Sequence, residues 1–171
     1  MENQPCFCAQ CAQRGRTCCQ DRDIYVTPGD VRRIHAQTRR NDFYEFRKSS
    51  DSAYEDQGDD PRWAAHVFRP DGSRRVLKLD AAGNCIFLMS HGCSLSLNIR
   101  PLVCRLHPYN YTARGLDPEP AMDCPVDLLT LGQRLDEVIA GFGQAEAPLW
   151  HRMLYTEILG ECRPNEDLID F

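Results

Sequence analysis

Residues 6–19 read CFCAQCAQRGRTCC, and the five cysteines in this run set the terms for the whole chain. Cys8 and Cys11 form a C-x2-C pair, a spacing at which two thiolates flank a tight turn and converge on one cation. The vicinal pair Cys18-Cys19 carries different information. In an extended backbone, neighbouring side chains point to opposite sides, so these two thiols serve two centres or two metals of one polynuclear cluster. The polar stretch from Cys6 to Asp23 lacks apolar periodicity. Such a segment buries too little to offset its ordering entropy, and metal binding is the natural source of the missing free energy.

A second group of cysteines follows a long gap: Cys85, then His91-Gly92-Cys93, then Arg100-Pro101-Leu-Val-Cys104-Arg105-Leu-His107-Pro108, then Cys124-Pro125. Each lies beside Gly, Pro, Asn or Arg, as expected of ligands on loops. Arg100 and Arg105 stand where charge-assisted hydrogen bonds to thiolates are within reach. His107 is the best non-cysteine ligand candidate and His91 the second, each competing with an ordinary hydrogen-bonded imidazole. The first group offers a vicinal pair that cannot chelate one ion comfortably and the second lacks any close C-x2-C pair, so the two are expected to converge. Disulfides would need an oxidising compartment that nothing else indicates. The spacing matches neither bacterial nor plant-type ferredoxins, although Cys124-Pro125 echoes the last ligand of the former. An iron–sulfur cluster and zinc both remain open as the cofactor.

Around these cysteines the chain reads as one α+β domain spanning 1–171. It is 42% hydrophobic, with a net charge of -5. That acidity offers no footprint for nucleic acid or an anionic membrane, which leaves metal ions and an unidentified protein as partners. The opening MENQPCFCAQ has no apolar core of a secretory signal, and Ile86–Met89 is far too short to cross a bilayer, so a soluble cytoplasmic protein is expected. Thr27-Pro28-Gly29-Asp30 predicts a helix start, with Val31, Ile34 and Thr38 facing inward. Asp42 is expected to cap a short helical continuation carrying Phe43, Tyr44 and Phe46. Ala65–Arg69 and Arg75–Leu79 read as a hairpin around the Asp71-Gly72 turn. Tyr109 and Tyr111 alternate as on a short strand. Leu128, Leu131, Leu135, Val138 and Phe142 form one helical stripe, and Trp150, Met153, Leu154 and Ile158 a second. Asp59-Asp60 reads as solvated surface. Ser-His-Asp, P-loop and HExxH patterns do not occur.

The run Cys8-x2-Cys11…Cys18-Cys19, followed by Cys85-x-Phe-Leu, Gly92-Cys93 and Arg100-Pro101-x2-Cys104-Arg105-x2-Pro108, resembles the YkgJ-type cysteine-cluster family, a zinc- or iron-chelating family with a CxxCxxCC signature. The resemblance covers about residues 8–124, with C-terminal helices over 125–162, and departs from the signature in the longer gap before the vicinal pair. It implies Cys8, Cys11, Cys18, Cys19, Cys85, Cys93, Cys104 and Cys124 as metal ligands, with Cys6 and Cys162 outside the set. Longer relatives include flagellin lysine methylases, which implies, as the alternative to a structural or redox centre, a metal-dependent enzyme modifying a peptide side chain or small molecule. This chain is much shorter and has no Gly-rich nucleotide loop.

Overall fold

The computed structural model describes residues 7–14, 17–49, 58–120, 124, 126–138 and 145–160. After a first helix α1 (Phe7–Gln13), the buried run Ile24, Tyr25 and Val26 leads into α2 (Pro28–Thr38). The helix starts where the sequence places it. The Thr27 hydroxyl accepts from the Asp30 N–H and the Asp30 carboxylate accepts from the Thr27 N–H, a complete capping box. Pro28 occupies the first turn, where its missing N–H costs nothing. Ile34 is fully buried on the inner face, and Arg39 ends the helix in the left-handed conformation.

The next segment corrects two expectations. Beyond Asp42 the chain forms a strand, β1 (Tyr44–Lys48), rather than a helical continuation. Aromatic residues suit a pleated, half-buried surface, and β1 finds a partner in β2 (Ser73–Leu77), antiparallel from Tyr44↔Leu77 to Lys48↔Ser73. Residues 65–69 are accordingly not the other arm of a hairpin: they lie in and just after helix α3 (Pro61–Val67). Asp60 caps that helix by accepting from the Trp63 N–H, Pro61 fills its first position, and Trp63 and Val67 share one buried face four residues apart. The Asp71-Gly72 turn does form, with Gly72 at φ +82° and Asp71 accepting from both the N–H and the hydroxyl of Ser73. It joins a helix to a strand.

Two small hairpins follow, β3 (Leu88–Met89) with β4 (Gly92–Cys93), and β5 (Tyr109–Thr112) with β6 (Gly115–Pro120); helix α4 (Leu102–Leu106) lies between them. The C-terminal region holds a 3-10 turn at Val126–Leu128, then α5 (Leu135–Val138) and α6 (Ala147–Leu159). In α6, Trp150, Leu154 and Ile158 are buried as their spacing predicts. The upstream stripe is not one helix. A turn from Thr130 to Gln133, with Gly132 at φ +85°, breaks it and leaves Leu131 fully exposed while Leu135 is buried. Phe142 lies outside the described residues.

The fold is thus mixed α+β, with short antiparallel strand pairs between helices. Its apolar side chains form two clusters. One joins Trp63, Leu102, Leu106, Trp150, Leu154 and Ile158; the other joins Val26, Ile34, Phe43, Leu77, Phe87 and Leu95. Among the described residues no helix is long and apolar enough to cross a membrane.

Candidate metal centre

The second cluster carries the thiols. Cys85 is buried within it, and Cys19, Cys93 and Cys104 pack against it. A rigid loop brings the first two together. Asp80 accepts from the N–H groups of Ala82 and Asn84, and Gly83, at φ +80°, donates back to the Asp80 carbonyl. The Gly83 carbonyl then accepts from the Asp21 N–H, and the Gln20 side-chain amide donates to Asn84. One residue on, the Cys85 N–H donates to the Cys19 carbonyl at 2.7 Å. This ladder closes the long Gln20–Asn84 separation at the point where the cysteines lie.

Cys93 arrives on β4, its register set by pairing with Leu88. Cys104 arrives on α4, whose N-terminal backbone is anchored from α2: the Leu102 N–H donates to the buried Asp30 carboxylate at 3.1 Å. Arg100 lies between them. Its guanidinium donates to the Leu95 carbonyl at 3.1 Å, bonds to the Cys93 thiol, and places positive charge near Cys19. Arg105, expected to reach a thiolate, instead donates from Nε to the Arg100 carbonyl at 2.7 Å. It holds the backbone of the residue that meets the sulfur.

Helix α1 lies against β4 and brings Cys11 into the electrostatic range of Cys19. Cys18 is exposed, and its thiol donates a hydrogen bond to the Cys19 sulfur. The charges of the thiols are consequently linked. Burial pushes Cys85 up to about 12, with the neighbouring Cys19 and Cys93 adding to the shift. Burial likewise raises Cys104 well above the ordinary thiol range and raises Cys93 and Cys11. Cys19 goes the other way. The bond from Cys18 pulls it down to about 7 against the opposing effect of burial, and Arg100 and Thr17 act in the same direction as Cys18. Without a cation, then, one thiolate is favoured and its neighbours stay protonated; a bound metal is what deprotonates such a set.

Not every expected ligand joins this group. Cys124 packs against the other apolar cluster, and its sulfur lies 3.3 Å from Nε2 of His107. His91 is exposed at the β3–β4 turn. Cys8 lies on α1, but its side chain is outside the described set, as are Cys6 and Cys162. Among the described side chains no two cysteines form a disulfide. Among the described residues, no three His, Cys, Asp or Glu side chains stand at ligating distance around one point. Cys19, Cys85, Cys93 and Cys104 share one apolar cluster and act on one another's charges without forming a closed ligand set.

Two carboxylates matter more than their sequence context suggested. Asp30 serves as cap, anchor for α4 and ion-pair partner of Arg33 at 2.6 Å. Asp60, read as surface, is only 4% exposed and accepts from the N–H groups of Trp63 and Ala113 and from the Tyr155 hydroxyl. The signal for Asp60 was present: an acidic residue directly before Pro61 at a helix start.

The model of the CxxCxxCC family, described as a "putative zinc- or iron-chelating domain", matches residues 7–125. No curated protein and no solved structure matches the chain.

Proposed function

Since the chain belongs to the CxxCxxCC family, we propose that it holds an iron–sulfur centre on cysteine thiolates, in a structural or electron-carrying role within a reducing, cytoplasmic setting. The observation that carries this reading is the gathering of Cys19, Cys85, Cys93 and Cys104 from four separate segments beside Arg100. Soft sulfur donors favour iron–sulfur clusters and zinc over magnesium or calcium. Cys11 and Cys18 adjoin the four, and Cys8 shares α1 with Cys11. That exceeds the four donors of one tetrahedral zinc site and suits a polynuclear centre.

In this reading Cys19, Cys85, Cys93 and Cys104 are the inner ligands, and Cys8, Cys11 and Cys18 complete the shell from the N-terminal side. Cys124, implied as a ligand by the resemblance, lies 3.3 Å from Nε2 of His107, which can orient its sulfur. When bound, the centre supplies a reducible group or a rigid cross-link. The chain's own contribution is to hold the sulfurs, shield them against the second apolar cluster, and balance their charge with Arg100.

Metal and sulfide analysis of anaerobically purified protein, with its absorption spectrum, tests the proposal. Iron with matching sulfide and broad visible absorption supports it. Colourless protein with stoichiometric zinc replaces the cluster with a structural zinc site. Protein that takes up neither metal overturns both.

A further inference from the structure

We propose that the cleft between α3, the β5–β6 hairpin and α6 binds an organic cation of the alkylammonium class. The cleft has a volume of about 450 Å³, within the usual range for small-ligand sites. It lies against the first apolar cluster, whereas Cys19, Cys85, Cys93 and Cys104 sit at the second. Aromatic rings from three elements form its walls: Trp63 from α3, Tyr111 from β5 and Tyr155 from α6. The Trp63 and Tyr111 rings stand 6.2 Å apart at 57°, two faces of an angled wall rather than a closed stack.

The charge of the cleft has one sign. Asp59, Asp60 and Asp117 line it, and among the described residues no lysine or arginine does. Asp60 is the informative member. It is 4% exposed, and its three hydrogen-bond donors, two backbone N–H groups and a phenol, are all neutral. A buried carboxylate satisfied in hydrogen bonds but not in charge raises the local negative potential, and a cation in the adjoining space relieves that cost.

The shape of the site selects the kind of cation. Among the described residues no three carboxylates come together closely enough for one metal ion, so the acids surround a space instead of a point. A bulky cation with an apolar body fits such a space: its charged head faces Asp59 and Asp117, which are exposed and free to adjust, and its carbons lie on the rings. The same chemistry is carried by a free amine and by the lysine side chain of a peptide.

Calorimetric titration of the full chain with n-butylammonium chloride, and with 1-butanol as the neutral analogue, tests this. A second arm uses a short N-acetylated peptide amide with one lysine, beside the same peptide acetylated on Nε. Saturable binding of butylammonium but not butanol, weakened about tenfold in D59N/D117N and in Tyr111→Leu, is the expected result. Tighter binding of the lysine peptide than of butylammonium assigns the source to a peptide side chain; weaker binding assigns it to a free amine. Absence of saturable binding by any of the cations up to about 10 mM, equal binding of butanol, or full affinity in D59N/D117N with an unchanged circular dichroism spectrum overturns the proposal.

Discussion

The Cys85 N–H donates to the Cys19 carbonyl at 2.7 Å, so a buried cysteine of the second group is tied by its backbone to the last cysteine of the first. This bond sits at the end of the ladder from Asp21–Gly83 and Gln20–Asn84. Geometry at the sulfurs is therefore inherited from main chain, which tolerates side-chain change at one cysteine better than loss of the loop.

Cysteine substitutions should divide accordingly. Cys104→Ser and Cys19→Ser lower metal content and melting temperature together, because metal binding in such a site is also folding free energy. Cys162→Ser, outside the family-like region, leaves both unchanged. Cys124→Ser, whose sulfur faces His107 rather than the other thiols, loses less metal than Cys104→Ser. Metal analysis and thermal melts of the four variants side by side decide the division. Equal losses in Cys124→Ser and Cys104→Ser would place Cys124 among the inner ligands.

Gly29 is required by its neighbour rather than by its own backbone. A methyl group there would meet the Glu157 carboxylate, which accepts from Arg33 at 2.6 Å and from the Thr27 hydroxyl. Gly29→Ala is expected to cost about 1–3 kcal/mol, the usual range for overpacking. In the Glu157→Ala background the same change should cost much less, giving a coupling energy of at least about 0.5 kcal/mol in urea melts. Additive losses would show that Glu157 moves aside freely.

Leu131 and Leu135 belong to one apparent helical stripe, yet the first is fully exposed and the second buried. Leu135→Ala should destabilise by about 2–5 kcal/mol, and Leu131→Ala should stay within about 0.5 kcal/mol of the parent. Comparable losses at both sites would restore the continuous helix.

Tyr155 gives the first cluster a pH dependence. Burial, then the hydrogen bond to Asp60, raises its pKa above the ordinary phenol range. The unfolded chain therefore surrenders this proton first as the solution becomes alkaline. The stabilising contribution is complete below the ordinary tyrosine pKa of about 10 and is lost as pH rises beyond it. Urea melts from about pH 9 to pH 11 should fall in stability more steeply for the parent than for Tyr155→Phe, by about one proton in the slope. Parallel profiles would mean that Tyr155 titrates freely.

Sequence and fold divide the protein along the range of the interactions. The start of α2 was legible because a capping box is local: Thr27, Pro28 and Asp30 satisfy each other within one turn. The buried face of α6 was legible because Trp150, Leu154 and Ile158 repeat at helical spacing. The same reasoning failed at 128–135, where Gly132 admits a positive φ and the stripe is interrupted, and at 65–69, where the Asp60-Pro61 start signal outweighs the turn that follows. Spacing also singled out the cysteines as chemistry rather than packing. It could not say which would meet. Whether Tyr44–Lys48 pairs with Ser73–Leu77, whether Cys19 meets Cys85, and that Cys124 faces His107 are contacts between distant segments. No periodicity records them, because such contacts carry a loop-closure cost and form only when the chain as a whole buries enough surface to offset it.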